Sequence, residues 1–245
     1  MSGLPPLVEV FLYGLVTALA TGLGALPFAF VRKVSPRLLA HANAVASGLM
    51  LGASFGLLSE GADYGRLATL VGANAGVLFV LLAGRALGDR EVEFGRVRGD
   101  DARRMVLIVL VMTVHSVAEG VAIGTAFAGG ATLAVVITAA IAVHNVPEGL
   151  AITAVLRPRG TGLVACAGWS VFSSLPQPLL AVPAFLFVDT FRAALPYGLG
   201  FAAGAMVFMV LVELLPEAFE EGSRSTAALL VTVTTVAMVL FQQYL

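Results

Sequence analysis

Apolar residues fill this chain in long runs, separated by short polar clusters. Eight runs approach or exceed the ~20 residues that a membrane-spanning helix needs: Leu7–Phe30, Leu38–Leu58, Leu67–Leu87, Met105–Ala126, Thr132–Leu156, Leu163–Val188, Tyr197–Leu215 and Thr226–Tyr244. The pattern predicts an all-α polytopic membrane protein with eight transmembrane helices in one domain over residues 1–245. The first run is long enough to span and has no basic stretch before it, so it is expected to be a retained helix, not a cleaved signal. Connections are short except around Asp89–Arg104, which carries both signs of charge and no histidine and is expected to be a solvated, partly disordered connector.

Composition narrows the class further. Of 245 residues, 59% are hydrophobic and only 12% charged, and the mean hydropathy is +0.97. A soluble domain carries about 25% charged residues, so neither a soluble fold nor a disordered chain fits. The net charge of −1 gives no electrostatic footprint for nucleic acid, and none is expected as a partner; the lipid bilayer is. The single cysteine, Cys166, excludes an intrachain disulfide and is expected to serve packing.

The basic residues orient the spans. With an outer N-terminus, inner loops hold Arg32, Lys33, Arg37, Arg85, Arg90, Arg96, Arg98, Arg103, Arg104, Arg157, Arg159 and Arg224, which is 12 of the 14 Lys and Arg. Only Arg66 and Arg192 fall outside. The positive-inside rule then places both termini extracytoplasmic in a multi-pass cell (inner or plasma) membrane protein. Tyr64, Tyr197 and Tyr244 would lie at the outer interface as an aromatic belt.

Ionisable residues within spans carry the chemistry, because each costs on the order of 2.5–3.5 kcal/mol at the bilayer centre unless paired or functional. The fourth span reads His115-Ser116-Val117-Ala118-Glu119-Gly120 and the fifth His144-Asn145-Val146-Pro147-Glu148-Gly149. Both are His-x-x-x-Glu-Gly, which sets imidazole and carboxylate on one helix face, one turn apart. A very short turn around Gly129-Gly130 joins the two spans, so they are antiparallel neighbours whose motifs meet at mid-depth. Two nitrogens and two carboxylates form a plausible ligand set for a divalent first-row metal. Interhelical hydrogen bonding alone would account for one such pair; duplication at matched depth favours a site. Pro147 frees the Val143 carbonyl and allows a kink, and Gly120 and Gly149 permit close helix approach.

These motifs resemble those of the ZIP (Zrt/Irt-like) divalent metal transporters of prokaryotic type. His144-Asn145-Val146-Pro147-Glu148-Gly149 is similar to that family's fifth-span signature, and His115…Glu119-Gly120 to its fourth-span partner. Ser173-Ser174-Leu175-Pro176-Gln177-Pro178 and the stretch from Gly204-Ala205-Met206 to Glu213…Glu217-Ala218 also resemble family spans. The resemblance implies an inverted-repeat architecture, with zinc, or iron, manganese or cadmium, moved into the cytosol as substrate and no catalytic cofactor. It implies that spans one, four, five and six move in an elevator-like way against a scaffold of spans two, three, seven and eight, which is often a homodimer interface. The ligands of one metal site match His115, Glu119, His144 and Glu148. At positions of a second site stand Ser116, Asn145 and Gln177, which are neutral and weaker ligands. One strong site is therefore expected, with Asn145 and Gln177 orienting its carboxylates. Ala118 stands where the family often has proline, so the fourth span should be straighter than the fifth.

The other polar positions are less specific. Gly48-Leu49-Met50 leading to Glu60 faintly echoes Gly204-Ala205-Met206 leading to Glu217, as an inverted repeat would. Glu60 and Glu213 are candidate vestibule residues, with solvated helix-end carboxylates the plainer reading; His41 is expected to be interfacial and Glu9 to face water. Two functions compete with metal transport: an intramembrane zinc metalloenzyme and a proton-coupled organic-solute carrier. The first lacks a His-Glu-x-x-His motif, so no enzyme is expected.

Overall fold

The computed structural model describes residues 4–30, 35–88, 93–95, 97–128 and 130–243; within them, the side chains at 133, 136, 140, 144, 189–192 and 221 lie outside the description. Tyr244, Arg32, Lys33, Arg90, Arg96, Gly129 and the side chain of Arg192 therefore lie outside the described residues. Nearly all the rest is helix: α1 (Pro6–Leu23), α2 (Pro36–Gly88), α3 (Asp100–Ala128), α4 (Ala131–Leu156), α5 (Leu163–Ser174), α6 (Pro176–Leu186), α7 (Val188–Met209), α8 (Leu215–Glu221) and α9 (Arg224–Gln242). A 3₁₀ turn, Leu26–Phe30, follows α1, and a π-helical turn, Val210–Leu214, joins α7 to α8. Among the described residues, seven helical stretches are long and apolar enough to cross a membrane. The chain is an all-α polytopic membrane protein.

One of these seven is far too long for a single crossing. At 53 residues, α2 would rise about 80 Å if straight, against a hydrocarbon core of about 30 Å. Its backbone leaves helical geometry at Gly65. A side chain at Gly61 would meet the Thr69 hydroxyl at 2.9 Å, a contact that residues eight apart in a straight helix cannot make. The chain doubles back at Gly65.

Proline punctuates the later helices. The stretch read as the sixth run is two helices broken at Leu175, with Pro176 opening α6 because a first-turn N–H has no acceptor within the helix and proline loses nothing by lacking one. By contrast α4 runs unbroken through Pro147. Near Asp89–Arg104, the described residues are more ordered than a solvated connector: Glu93–Phe94 pairs with Val97–Arg98 as an antiparallel hairpin turning through Gly95 at φ 63°. Alternation explains it, since Phe94 stacks on Trp169 of α5 at 4.7 Å while Glu93 and Arg98 pair on the outer face at 2.8 Å.

Two groups of helices emerge from where backbones touch. In one, α1, α3, α4, α5 and α6 interlock: Gly14 sits against Pro178, Gly24 and Gly149 bring α1 onto α4, and Gly120 and Gly124 bring α3 onto α6. In the other, α2, α7, α8 and α9 interlock: Gly48, Gly52 and Gly56 face α9, while Gly72 and Gly76 mesh with α7 around Gly200 and Gly204. Small residues four apart allow such approach, and in lipid that packing is a main source of helix association. Among the described residues, every glycine whose added Cβ would come within 3 Å of another helix touches a helix of its own group. Across the seam the one such glycine contact is ordinary, Gly198 to Ala118 at 3.6 Å. Side chains fill that seam, and they include Met50, Met105, Met112, Met206 and Met209, five of the seven methionines. Methionine is unbranched and adaptable, and it fills irregular gaps between packed helices.

Candidate metal centre

The central turns of α3 place His115 and Glu119 on one face, and α4 brings Glu148 to the same point. His115 Nε2 lies 2.9 Å from Glu148 Oε1 and 3.6 Å from Glu119 Oε1. One ligand atom from each of the three residues lies within 4.8 Å of the others. The three side chains are 0%, 3% and 1% exposed. His144 is on α4 one turn before Glu148, and its side chain lies outside the described residues.

The glycine that ends each motif shows why the motifs converge. Gly120, next to Glu119, leaves room for the Pro176 and Gln177 carbonyls of α6, which an added Cβ would approach to 2.9 and 2.8 Å. Gly149, next to Glu148, receives the Thr21 carbonyl of α1 where a Cβ would stand. Each motif therefore ends in the contact that fixes its helix against a neighbour.

A chain of amides anchors one of the carboxylates. Gln177 Nε2 donates to Glu119 Oε2 at 2.6 Å, and Asn145 Nδ2 donates to Gln177 Oε1 at 3.0 Å and to the Thr17 carbonyl at 2.7 Å. Glu119 thus turns one oxygen toward His115 and has the other held by an amide. The break at Leu175 makes this possible, since it sets Gln177 in the first turn of α6, opposite α3. Ser116 is fully buried beside His115, and its hydroxyl makes no hydrogen bond among the described residues.

Histidine nitrogen and carboxylate oxygen suit a borderline dication such as zinc. Two carboxylates brought this close out of water repel each other, and a divalent ion held between them would offset that repulsion. The group is therefore chemically suited to hold a divalent ion.

A cavity of about 510 Å³ leads away from the centre, lined by Glu119, Ala122, Ile141, Leu199, Glu60 and Asp63. Glu60 thus shares a space with the His/Glu group. Glu213 lies elsewhere, 3.5 Å from Arg104. His41 is exposed and Glu9 half-buried. Sequence reading passed over Asp63 at the mouth of this cavity, and Thr17 and Thr21 behind the centre, where Thr21 Oγ1 hydrogen-bonds Ser174 Oγ at 2.7 Å. The signal for the threonines was present: two hydroxyls four residues apart in an apolar span.

Comparison with known proteins agrees with this chemistry. Residues 97–241 match the family model described as ZIP zinc transporter. A candidate zinc transporter of Arabidopsis thaliana is 46% identical over 233 residues, which is 94% of this chain and 38% of that protein. Human zinc transporter ZIP11 is 39% identical over 140 residues, covering 53% of this chain and 40% of that protein. Zinc transporter ZIPB of Bordetella bronchiseptica is 35% identical over 224 residues, covering 85% and 72%. The chain spans about two fifths of the length of the plant and human relatives and most of the bacterial one. These relatives are named as transporters, not as enzymes.

Proposed function

The chain belongs to the ZIP zinc transporter family, and from that membership we propose that it carries zinc or a related dication across the cell membrane into the cytosol. The buried group His115, Glu119 and Glu148 carries the reading. His144 is the fourth ligand, since the shared His-x-x-x-Glu spacing puts it one turn from Glu148 as His115 is from Glu119. Two carboxylates and two neutral imidazoles balance the charge of one dication.

One ion binds at a time. The amide of Gln177 occupies the side of Glu119 away from His115, and neither Gln177 nor Asn145 adds charge for a second cation. Gln177→Leu would release Glu119 Oε2 and leave Asn145 without one acceptor. Zinc affinity should fall about 10–100-fold, as when a partner that orients a metal ligand is removed. Calorimetric titration of the purified variant checks this, and unchanged affinity would show that Glu119 orients itself.

Eight crossings follow if α2 counts twice, on either side of Gly65. Both termini are then outside and the arginine-rich ends of α3 and α4 face the cytosol. The ion enters through the cavity lined by Glu60, Asp63 and Glu119. Elevator-like movement of α1, α3, α4, α5 and α6 past α2, α7, α8 and α9 is supported by the two glycine-locked groups and the methionine-lined seam between them.

Histidine ligates as neutral imidazole and glutamate as carboxylate, so protons compete with the metal at every ligand. Acid must weaken binding: zinc affinity should drop steeply from pH 7.5 to 5.5, with protons released when zinc binds at pH 7. Zinc uptake into proteoliposomes at the two pH values, with iron, manganese and cadmium as competitors, tests the function as a whole. Absence of metal-dependent uptake at either pH would overturn it.

A further inference from the structure

Among the described residues, ion pairs bridge the seam at one end only. Arg104 and Asp101 begin α3, and Arg159 follows α4, all in the group that contains the His/Glu centre. Glu213 and Glu217 belong to the π turn and α8, in the other group. Arg104 Nε lies 3.5 Å from Glu213 Oε2. Arg159 Nη2 lies 3.3 Å from Glu217 Oε1, while its Nε donates to Asp101 Oδ1 at 2.7 Å and its Nη1 to the Val155 carbonyl at 2.8 Å. Arg159 and Glu217 are 9% and 12% exposed, so water screens this pair poorly. The other ion pairs of the described residues, Glu93–Arg98 and the His115 contacts, stay within the hairpin or within one group.

The opposite end of the seam is open. The cavity that reaches Glu119 lies beside the Gly65 turn and the C-terminal end of α9, where it is lined by Glu60, Asp63 and Gln242. The acidic side of the bridge also stands on an irregular backbone. The Leu215 N–H reaches back five residues to the Val210 carbonyl, and Pro216, lacking an N–H, prevents an ordinary helical turn from forming there. Single π turns re-aim side chains and concentrate at functional positions.

We infer that Arg104–Glu213 and Arg159–Glu217 form a latch that closes the arginine-rich face while the opposite face is open to the His/Glu centre. Both pairs join groups that share no interlocked glycine, so parting them costs the seam its strongest directional contacts and leaves adaptable side chains to slide. The latch holds the two groups in the arrangement described and must open before the centre is exposed at the arginine-rich face. It rests on the transport reading for its purpose but not for its geometry.

Reporter thiols test it in a Cys166→Ala background of the full chain in nanodiscs. Ala122→Cys reports on the open cavity and Val155→Cys on the seam beside Arg159. Glu213→Gln with Glu217→Gln breaks both bridges and leaves Arg159 on Asp101. Maleimide labelling at position 155 should rise roughly tenfold and labelling at 122 should fall, the scale of shift that loss of two partly buried ion pairs gives. Should that double variant not fold, Arg104→Gln breaks the more exposed pair, with a smaller shift in the same two directions. Unchanged labelling at both positions overturns the latch, as does a rise at both, which marks general loosening. Zinc titration of the same proteins separates the two readings: reciprocal labelling without zinc binding would remove the metal site and keep the latch.

Discussion

Glu148→Ala is expected to abolish zinc binding and transport. Glu148 gives His115 its 2.9 Å partner and supplies one of the two carboxylates in the group. Without it a dication would sit in a buried site with one carboxylate, its desolvation largely uncompensated. Affinity should fall by more than about 100-fold, beyond the 10–100-fold typical of losing only an orienting partner. Radioactive zinc uptake into proteoliposomes should drop to the level of empty vesicles. His115→Ala should match it, because that nitrogen lies between the two carboxylates. Glu93→Gln, in the exposed hairpin, should retain uptake. Uptake by Glu148→Ala at half or more of the unaltered rate would mean that the ion takes another route.

Gly149→Val should be the most destructive substitution that removes no ligand. A Cβ at position 149 would coincide with the Thr21 carbonyl, a backbone atom that cannot rotate away. Relief requires α1 and α4 to part, and the Asn145–Thr17 hydrogen bond would part with them. Overpacking against side chains costs about 1–3 kcal/mol, and here the obstacle is backbone, so more than about 4 kcal/mol is expected. The variant should aggregate on solubilisation, with its size-exclusion peak in the void volume. Gly168→Ala, where an added Cβ meets nothing within 4 Å, should remain monodisperse. Folding of Gly149→Val with an unchanged melting temperature would refute the interlock of α1 and α4.

Much of this was legible in the sequence because the membrane imposes a simple code. Runs of about 20 apolar residues can only be spans, and a His-x-x-x-Glu repeat on adjacent spans can only set both pairs on helix faces. That logic pointed to His115, Glu119, His144 and Glu148, whereas Gln177 and Asn145 were expected as orienting residues only from the family resemblance. It fixed the class from the low charge fraction and assigned Gly120 and Gly149 to close approach.

Position along the chain does not reveal what stands opposite a residue. Glu60 and Glu213 looked alike as acids near helix ends, yet one shares the cavity with Glu119 and the other faces Arg104. The Leu175 break that aims Gln177 at Glu119, the π turn beneath Glu213 and the packing of Phe94 on Trp169 all depend on neighbours far away in sequence. The division into two groups came only as an implication of the family resemblance, because the residues themselves do not show it. A glycine in an apolar helix reads the same whether it meets a backbone or lipid, and only tertiary contact shows which. Sequence period determines which residues share a helix face; packing decides what each face meets, and so which helices are locked together.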